Sequence, residues 1–314
     1  MKGSERMPYD ISNKLKIAVT TRALFQLEDE NKIYEEQGLK SYEEYQVAKE
    51  DTILEKGVAF NLIESLLSIN KIEKTKDKVE VIIASRNSAN TSLRVFNSCE
   101  HYGLPISRGF FTSGGELAKY LSALDVELFL TANAYDAQAA IDAGVPAAVL
   151  LTDNIPQYYD SAKGEIRIAF DGDAVIFSED SELIYKKEGL AQFAENERNS
   201  ADIPMKKGPF AKFLEMIAQL QESLGEDQQI IKTALITARN APSHKRVIKT
   251  LREWNIRIDE VFFLGGISKT PILKAFGAQI FFDDQTTYTK PASAIVPSGT
   301  VPYNSSSELN DYKN

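Results

Sequence analysis

Two runs of carboxylates each follow an apolar, β-rich segment: Asp171-Gly172-Asp173 after Glu165 to Phe170, and Asp283-Asp284 after Gln279 to Phe282. In a parallel α/β sheet, ligands gather outside the carboxyl ends of the strands, so these acids stand where a substrate would. Residues two apart on an extended stretch point the same way, and Gly172 between them permits close approach of a ligand. Two strands delivering acids to one rim make a site of hard oxygen ligands, which suits Mg²⁺. Two other strand ends supply donors and positive charge. Ile230 to Ile236 leads into Thr237-Ala238-Arg239-Asn240, a hydroxyl and backbone N–H groups ahead of a helix, suited to a phosphate oxygen. Glu260 to Phe263 leads into Gly265-Gly266-Ile267-Ser268-Lys269, where Lys269 would offer a point charge to a phosphoryl group. Each motif alone has a plainer reading as a turn, a helix cap, a solvated loop or a surface lysine. Four of them at successive strand ends converge on one mouth.

Other chemistries are poorly served. The two histidines, His101 and His244, lie in no HExxH, HxH or CxxC pattern, which nearly excludes zinc and iron hydrolases. No GxSxG elbow accompanies them, and both fall in helical patterns where a solvated surface role is expected. The single cysteine, Cys99, excludes an internal disulfide and suits a reducing cytoplasm. Met1 to Asn13 lacks the apolar run of a signal peptide, and no segment is long and apolar enough to span a bilayer. The net charge of −9, with no lysine-arginine block, sets nucleic acid low among expected partners.

The elements that must position these residues occur twice. Slid along itself so that Thr20 meets Asp171, the chain brings Ile17-Ala18-Val19 onto Ile168-Ala169-Phe170, Ile33-Tyr34 onto Ile184-Tyr185, and Lys56-Gly57 onto Lys207-Gly208. Further on, Arg86-Asn87 matches Arg239-Asn240, and Phe110-Phe111 matches Phe262-Phe263. A repeat this long predicts two similar domains, and its alternation of short β-rich runs with longer helical patterns predicts α/β domains with mainly parallel sheets. The expected organisation is a disordered segment over 1–13, a first domain over 14–157 and a second over 158–303, with a polar, frayed tail over 304–314. Inserts over 26–56 and 178–206 fall where caps arise. The boundary is expected near Asp153 to Gly164, rich in Pro, Tyr, Ser and Gly.

The order DxD, Thr, Lys, DD, each at a strand end, resembles the haloacid dehalogenase-like (HAD) superfamily of phosphohydrolases. Ile17 to Phe25, Ile33-Tyr34 with Glu36-Gln37-Gly38, the run Glu43-Glu44-Tyr45-Gln46, and the phrases AFDGDAVIFSEDSE and IFFDDQ are similar to the cytosolic type I 5′-nucleotidases, from about Leu15 to Tyr303. The resemblance implies two Rossmann-like, HAD-like domains. It makes Asp171 the nucleophile, attacking phosphorus to form an aspartyl-phosphate, and Asp173 the general acid and base. Asp171, the Asp173 backbone carbonyl, Asp283 and Asp284 would hold Mg²⁺, while Thr237, Ala238 and Lys269 would bind the phosphoryl oxygens. It implies a nucleoside 5′-monophosphate substrate, such as AMP, in a cytoplasmic enzyme that could form a homo-oligomer. A sugar phosphate as substrate, or a nucleotide-binding regulator without catalysis, are the other readings.

The two halves differ where the chemistry lies. Thr20 stands opposite Asp171, Arg22 opposite Asp173, Ala84 opposite Thr237, Leu117 opposite Lys269, and Thr131-Ala132 opposite Asp283-Asp284. The first half is therefore expected to be catalytically inactive. It would support the fold, or use Thr20, Thr21, Arg22, Ser85 and Arg86 as an anion site without a metal. With Arg239, these are the expected contacts for a substrate or effector, shared with the active half if the two mouths face each other. Tyr42, Tyr45, Tyr185 and Phe193 of the inserts would stack on a base or pack inside the caps.

Overall fold

In the computed structural model, which describes residues 9–153, 155–156, 164–225 and 228–312, both halves run through one succession of elements. The first gives β1 (Leu15–Val19), α1 (Thr21–Leu24), α2 (Glu28–Ala48), α3 (Phe60–Ser68), β2 (Val79–Ser85) and α4 (Ser92–His101). It ends with β3 (Arg108–Phe111), α5 (Ala118–Ala123), β4 (Leu128–Thr131), α6 (Ala134–Asp142) and β5 (Ala147–Leu150). The second gives β6 (Ile166–Phe170), a wide turn over Gly172–Ile176, α7 (Asp180–Asn199), α8 (Ala211–Leu224), β7 (Ile231–Thr237) and α9 (His244–Glu253). It ends with β8 (Glu260–Phe263), α10 (Thr270–Phe276), β9 (Ile280–Asp283), α11 (Thr286–Ala292) and β10 (Ser298–Thr300).

The central strands are buried on both faces, as their continuous apolar character demands. Lys16, in the middle of β1, is tolerated there because its ammonium lies 3.0 Å from the equally buried Glu127. Helix α8 turns Phe213, Leu214, Ile217 and Leu220 inward, at the spacing of one helical face.

The two expected sheets are one. The strand order is β3-β2-β1-β4-β5-β10-β9-β6-β7-β8, so each half contributes five strands and the halves join at β5 and β10. Every neighbouring pair is parallel except that junction, which is antiparallel. The seam depends on Gly299, opposite Leu150: a Cβ there would lie 2.9 Å from Ala148 Cβ and 3.1 Å from Leu150 Cδ2. Because the junction is antiparallel, the carboxyl ends of β1–β5 and of β6–β10 open on opposite rims of the sheet. The two mouths therefore do not face each other within one chain.

The inserts are helical. Helices α2 and α7 both break at a glycine with positive φ, Gly38 (81°) and Gly189 (84°). Each insert is tied to the helix after the second strand of its half by an arginine. Arg94 of α4 donates to Glu30 and Gln46, and Arg246 of α9 donates to Glu197, which also accepts from Ser181.

The described residues near each chain end are docked by polar side chains. Positions 1–8 and 313–314 lie outside the described residues, as do 154 and 157–163 of the expected boundary. From Tyr9 on, however, the amino-terminal segment is docked: the Tyr9 hydroxyl donates to Asp77 (2.8 Å), and the Arg108 guanidinium lies 4.2 Å over its ring. The tail is also folded down. Ser305 donates to Asp142, Ser307 donates to Glu179 (2.6 Å), and Leu309 is buried in a short helical turn over Glu308–Tyr312. Polar side-chain bonds, which carry no periodic signature, hold it there. Among the described residues no helix is long and apolar enough to cross a membrane.

Cys99 is buried in α4, and burial pushes its thiol up to about 12. The thiolate is the reactive form, so at pH 8 only about one molecule in 10⁴ would present it. Iodoacetamide is expected to leave the native chain unlabelled and to add one equivalent after unfolding. Native labelling at the rate of a free thiol would contradict the burial.

Candidate active site

The carboxyl ends of β6 and β9 meet as their apolar runs predict. Asp171 N donates to Phe282 O (2.8 Å), which locks the first carboxylate beside the end of β9. Asp283 is fully buried, and its Oδ1 accepts from Gln285 N (2.8 Å), so the side chain caps its own turn. Lys269, at the start of α10, reaches both strands: its Nζ lies 2.6 Å from Asp171 Oδ1 and 2.6 Å from Asp283 Oδ2. The ring of Tyr288 sits 4.3 Å from the same ammonium. An ammonium has three donors, so two carboxylates leave one for a third oxygen.

Negative charge exceeds positive charge at this rim. Asp171, Asp283 and Asp284 each offer an oxygen within 4.8 Å of the others, a group of acids that could hold a metal ion. Burial pushes Asp171 up to about 7; Lys269 opposes the shift and Asp283 reinforces it. Burial also raises Asp284 well above the ordinary carboxylate range, with Asp283 and Asp171 adding to it. Burial works against the charge on Lys269, but Asp171 and Asp283 outweigh it and hold the ammonium above its usual value. The Tyr303 hydroxyl donates to Asp284 Oδ2, while Asp284 Oδ1 is buried with no hydrogen-bond partner. Clustered carboxylates with one oxygen unsatisfied fit a hard divalent cation such as Mg²⁺.

Asp173 lies two residues on, in a turn where Asp173 (φ −69°, ψ 139°) and Ala174 (φ 58°, ψ 1°) leave helical geometry. Arg239 grips both of its oxygens, Nε to Oδ2 at 2.8 Å and Nη2 to Oδ1 at 2.6 Å. The same guanidinium bonds Glu197 of α7, so the insert is wired to Asp173. The expected substrate contact Arg239 is thus a buried bridge between acids. Thr237 is buried at the end of β7, with its Oγ1 accepting from Arg239 N (3.2 Å). A Cβ added to Gly172 would come 3.4 Å from that oxygen, so the ends of β6 and β7 nearly touch. Ala238 is exposed at the same strand end.

Thr20, Thr21, Arg22 and Arg86 are not brought to this rim. They line a cavity at the mouth of the first half. Sheet register corrects one correspondence: Ser85 pairs with Phe111 as Thr237 pairs with Phe263, so Ser85, not Ala84, is the partner of Thr237. Aligning the two arginines hid this, because one more residue, Ala238, separates Arg239 from its hydroxyl. His244 is half-buried rather than solvated, its ring edge-on to Phe263 at 5.8 Å.

Tyr303, Tyr288, Glu182 and Glu197 were not legible as site residues. Glu182 and Glu197 belong to a polar helix whose pattern does not mark an inner face. Tyr303 lies beyond the last strand and reaches Asp284 only through the tertiary fold. Burial raises Glu182 above the usual carboxylate range, and the charge of Asp173 adds to it.

The comparisons with known proteins bear on the same residues. The chain is 35% identical over 308 residues to human cytosolic 5′-nucleotidase 1B, a match covering 93% of this chain and 49% of that protein. The chain thus spans about half the length of this curated relative. Among solved structures, a universal stress protein from Pseudomonas aeruginosa covers 93% of this chain and 94% of its own at 7% identity, with a TM-score of 0.34. So slight a likeness carries no argument. The family model described as 5′-nucleotidase matches residues 7–308, a span that takes in both rims of the sheet and every carboxylate above. The chain therefore belongs to the 5′-nucleotidase family.

Proposed function

We propose that this chain is a Mg²⁺-dependent phosphoric monoester hydrolase that releases phosphate from nucleoside 5′-monophosphates, AMP among them, through an aspartyl-phosphate. The observation that carries the reading is the contact of Lys269 with Asp171 and Asp283 beside Asp284, in a chain of this family. The two halves are read as HAD-like units related by duplication, with the second catalytic. The relative's name places it in the cytosol, and the same setting is proposed here.

Asp171, the backbone carbonyl of Asp173, Asp283 and Asp284 would hold Mg²⁺, which when bound neutralises phosphate charge. Asp171 attacks phosphorus in line, and its new O–P bond forms as the bond to the ester oxygen breaks. Asp173 gives a proton to that leaving oxygen and then takes one from the water that attacks the aspartyl-phosphate, freeing Asp171 and phosphate. To reach the leaving oxygen, the Asp173 carboxyl must turn out of the Arg239 fork. Thr237 and the third donor of Lys269 bind phosphoryl oxygens, where charge spreads in the transition state.

The test is phosphate release from AMP, IMP, CMP and a set of sugar phosphates, with Mg²⁺ or with EDTA. Nucleoside monophosphates are expected to be the best substrates, and EDTA to abolish turnover. Preference for the sugar phosphates would move the substrate class, and full activity in EDTA would remove the metal.

A further inference from the structure

The rim of the first half holds a cavity of about 400 Å³, within the range of roughly 300–1,000 Å³ of small-molecule sites. Buried polar atoms nearly always find a partner, so those that do not are informative. Among the described residues six side-chain polar atoms are buried without one, and three of the six belong to residues that line this cavity: Thr20 Oγ1, Arg86 Nη2 and Ser88 Oγ, all just beneath its surface. Thr20 is 8% exposed. All three groups can donate, and one is cationic, a set that matches the oxygens of a phosphomonoester. Arg86 is held in place by Asp136, which accepts from its Nε at 2.7 Å, and by the Tyr135 ring 4.8 Å from the guanidinium, while its Nη2 has no partner.

Two tyrosines form part of the remaining wall. Tyr34 and Tyr42 meet edge to face at 6.0 Å, at the positions that Tyr185 and Phe193 occupy in the second half. Glu43 adds an acceptor of the kind that binds ribose hydroxyls. We propose that the first half binds a nucleotide-type phosphomonoester and keeps it intact. Thr20 replaces the nucleophile, Leu117 replaces the lysine, and Thr131 and Ala132 replace the two metal-site acids, so no aspartyl-phosphate can form there. The site opens on the rim opposite the catalytic one, so its occupancy can be read without turnover.

The experiment titrates AMP calorimetrically, in EDTA, into the full chain carrying Asp171→Asn, and into the same chain carrying Thr20→Val and Ser88→Ala as well. Both added changes remove hydroxyls that have no partner, so the thermal midpoint is expected to hold or rise. The second chain is expected to bind one equivalent fewer. Arg86→Lys, which keeps a cation beside Asp136 but loses the fork, is expected to weaken that equivalent at least ~10-fold. Inorganic phosphate is expected to compete for it. Identical titrations of the two chains, no AMP binding by the parent, or indifference to phosphate would each overturn the site. Because binding is read without turnover, the result stands apart from whether the second half hydrolyses AMP.

Discussion

Asp171→Asn is expected to lower phosphate release at least ~10³-fold and, in EDTA, to raise the thermal midpoint. The first effect follows from chemistry. An amide keeps the shape of the carboxylate but has no oxygen nucleophilic enough to attack phosphorus, and no bypass is offered by the first half, where Thr20 stands at the same point. The second follows from the site's charges. Asp171 is buried, and burial together with Asp283 pushes it to about 7 against the pull of Lys269. An acid whose ionised form is disfavoured by folding lowers stability where it is ionised, so a neutral isostere removes that penalty. Lys269 keeps Asp283 as a partner. The gain is on the order of 1–3 kcal/mol, a rise of several degrees for a chain of this size. Phosphate release and calorimetric melting read the two effects separately. Retained turnover would remove Asp171 as nucleophile, and a lowered midpoint would show its carboxylate to be net stabilising.

Such opposite signs for function and stability are what a preorganised charge cluster produces, and the cluster itself was legible in the sequence. Near-continuous apolar runs mark buried parallel strands, and whatever polar residue ends such a run lands on the rim. That is why Asp171, Thr237 and Asp283 could be placed from order alone, and why β6, β7, β8 and β9 lie within about a residue of their expected bounds. Strand β10 escaped because Ser298, Gly299 and Thr300 are short and only partly apolar, and glycine disfavours strands elsewhere. Missing it hid the fusion of the two sheets and the opposition of the two mouths. Arg239 was visible as a cation near the site, but its partners Asp173 and Glu197 lie 66 and 42 residues away in the chain, and no local period reports that distance. The repeat was the strongest signal available, yet its register slipped at Ala84 and Ser85. Side-chain identity aligned the arginines, whereas backbone pairing aligns the hydroxyls.

Lys269→Met is expected to behave unlike Asp171→Asn: turnover and stability should fall together. Lys269 is 3% exposed and carries the positive charge in contact with Asp171 and Asp283. Methionine fills much of the same volume and keeps a contact with the Tyr288 ring, so the change is chiefly one of charge. Removing one partner of a buried ion pair leaves the other uncompensated, which costs roughly 3–5 kcal/mol. Turnover should fall at least ~10²-fold, since a donor to the phosphoryl oxygens is lost where charge develops. The double variant, Lys269→Met with Asp171→Asn, distinguishes charge imbalance from simple loss of packing. Neutralising Asp171 removes one of the stranded acids, so the double variant should melt above Lys269→Met alone, with a coupling of about 1–3 kcal/mol across the cycle. Additive melting would mean that Lys269 holds the site by shape rather than by charge. Mg²⁺ provides the complementary check: a divalent cation among the acids would restore part of the stability that Lys269→Met loses, by binding the folded chain alone.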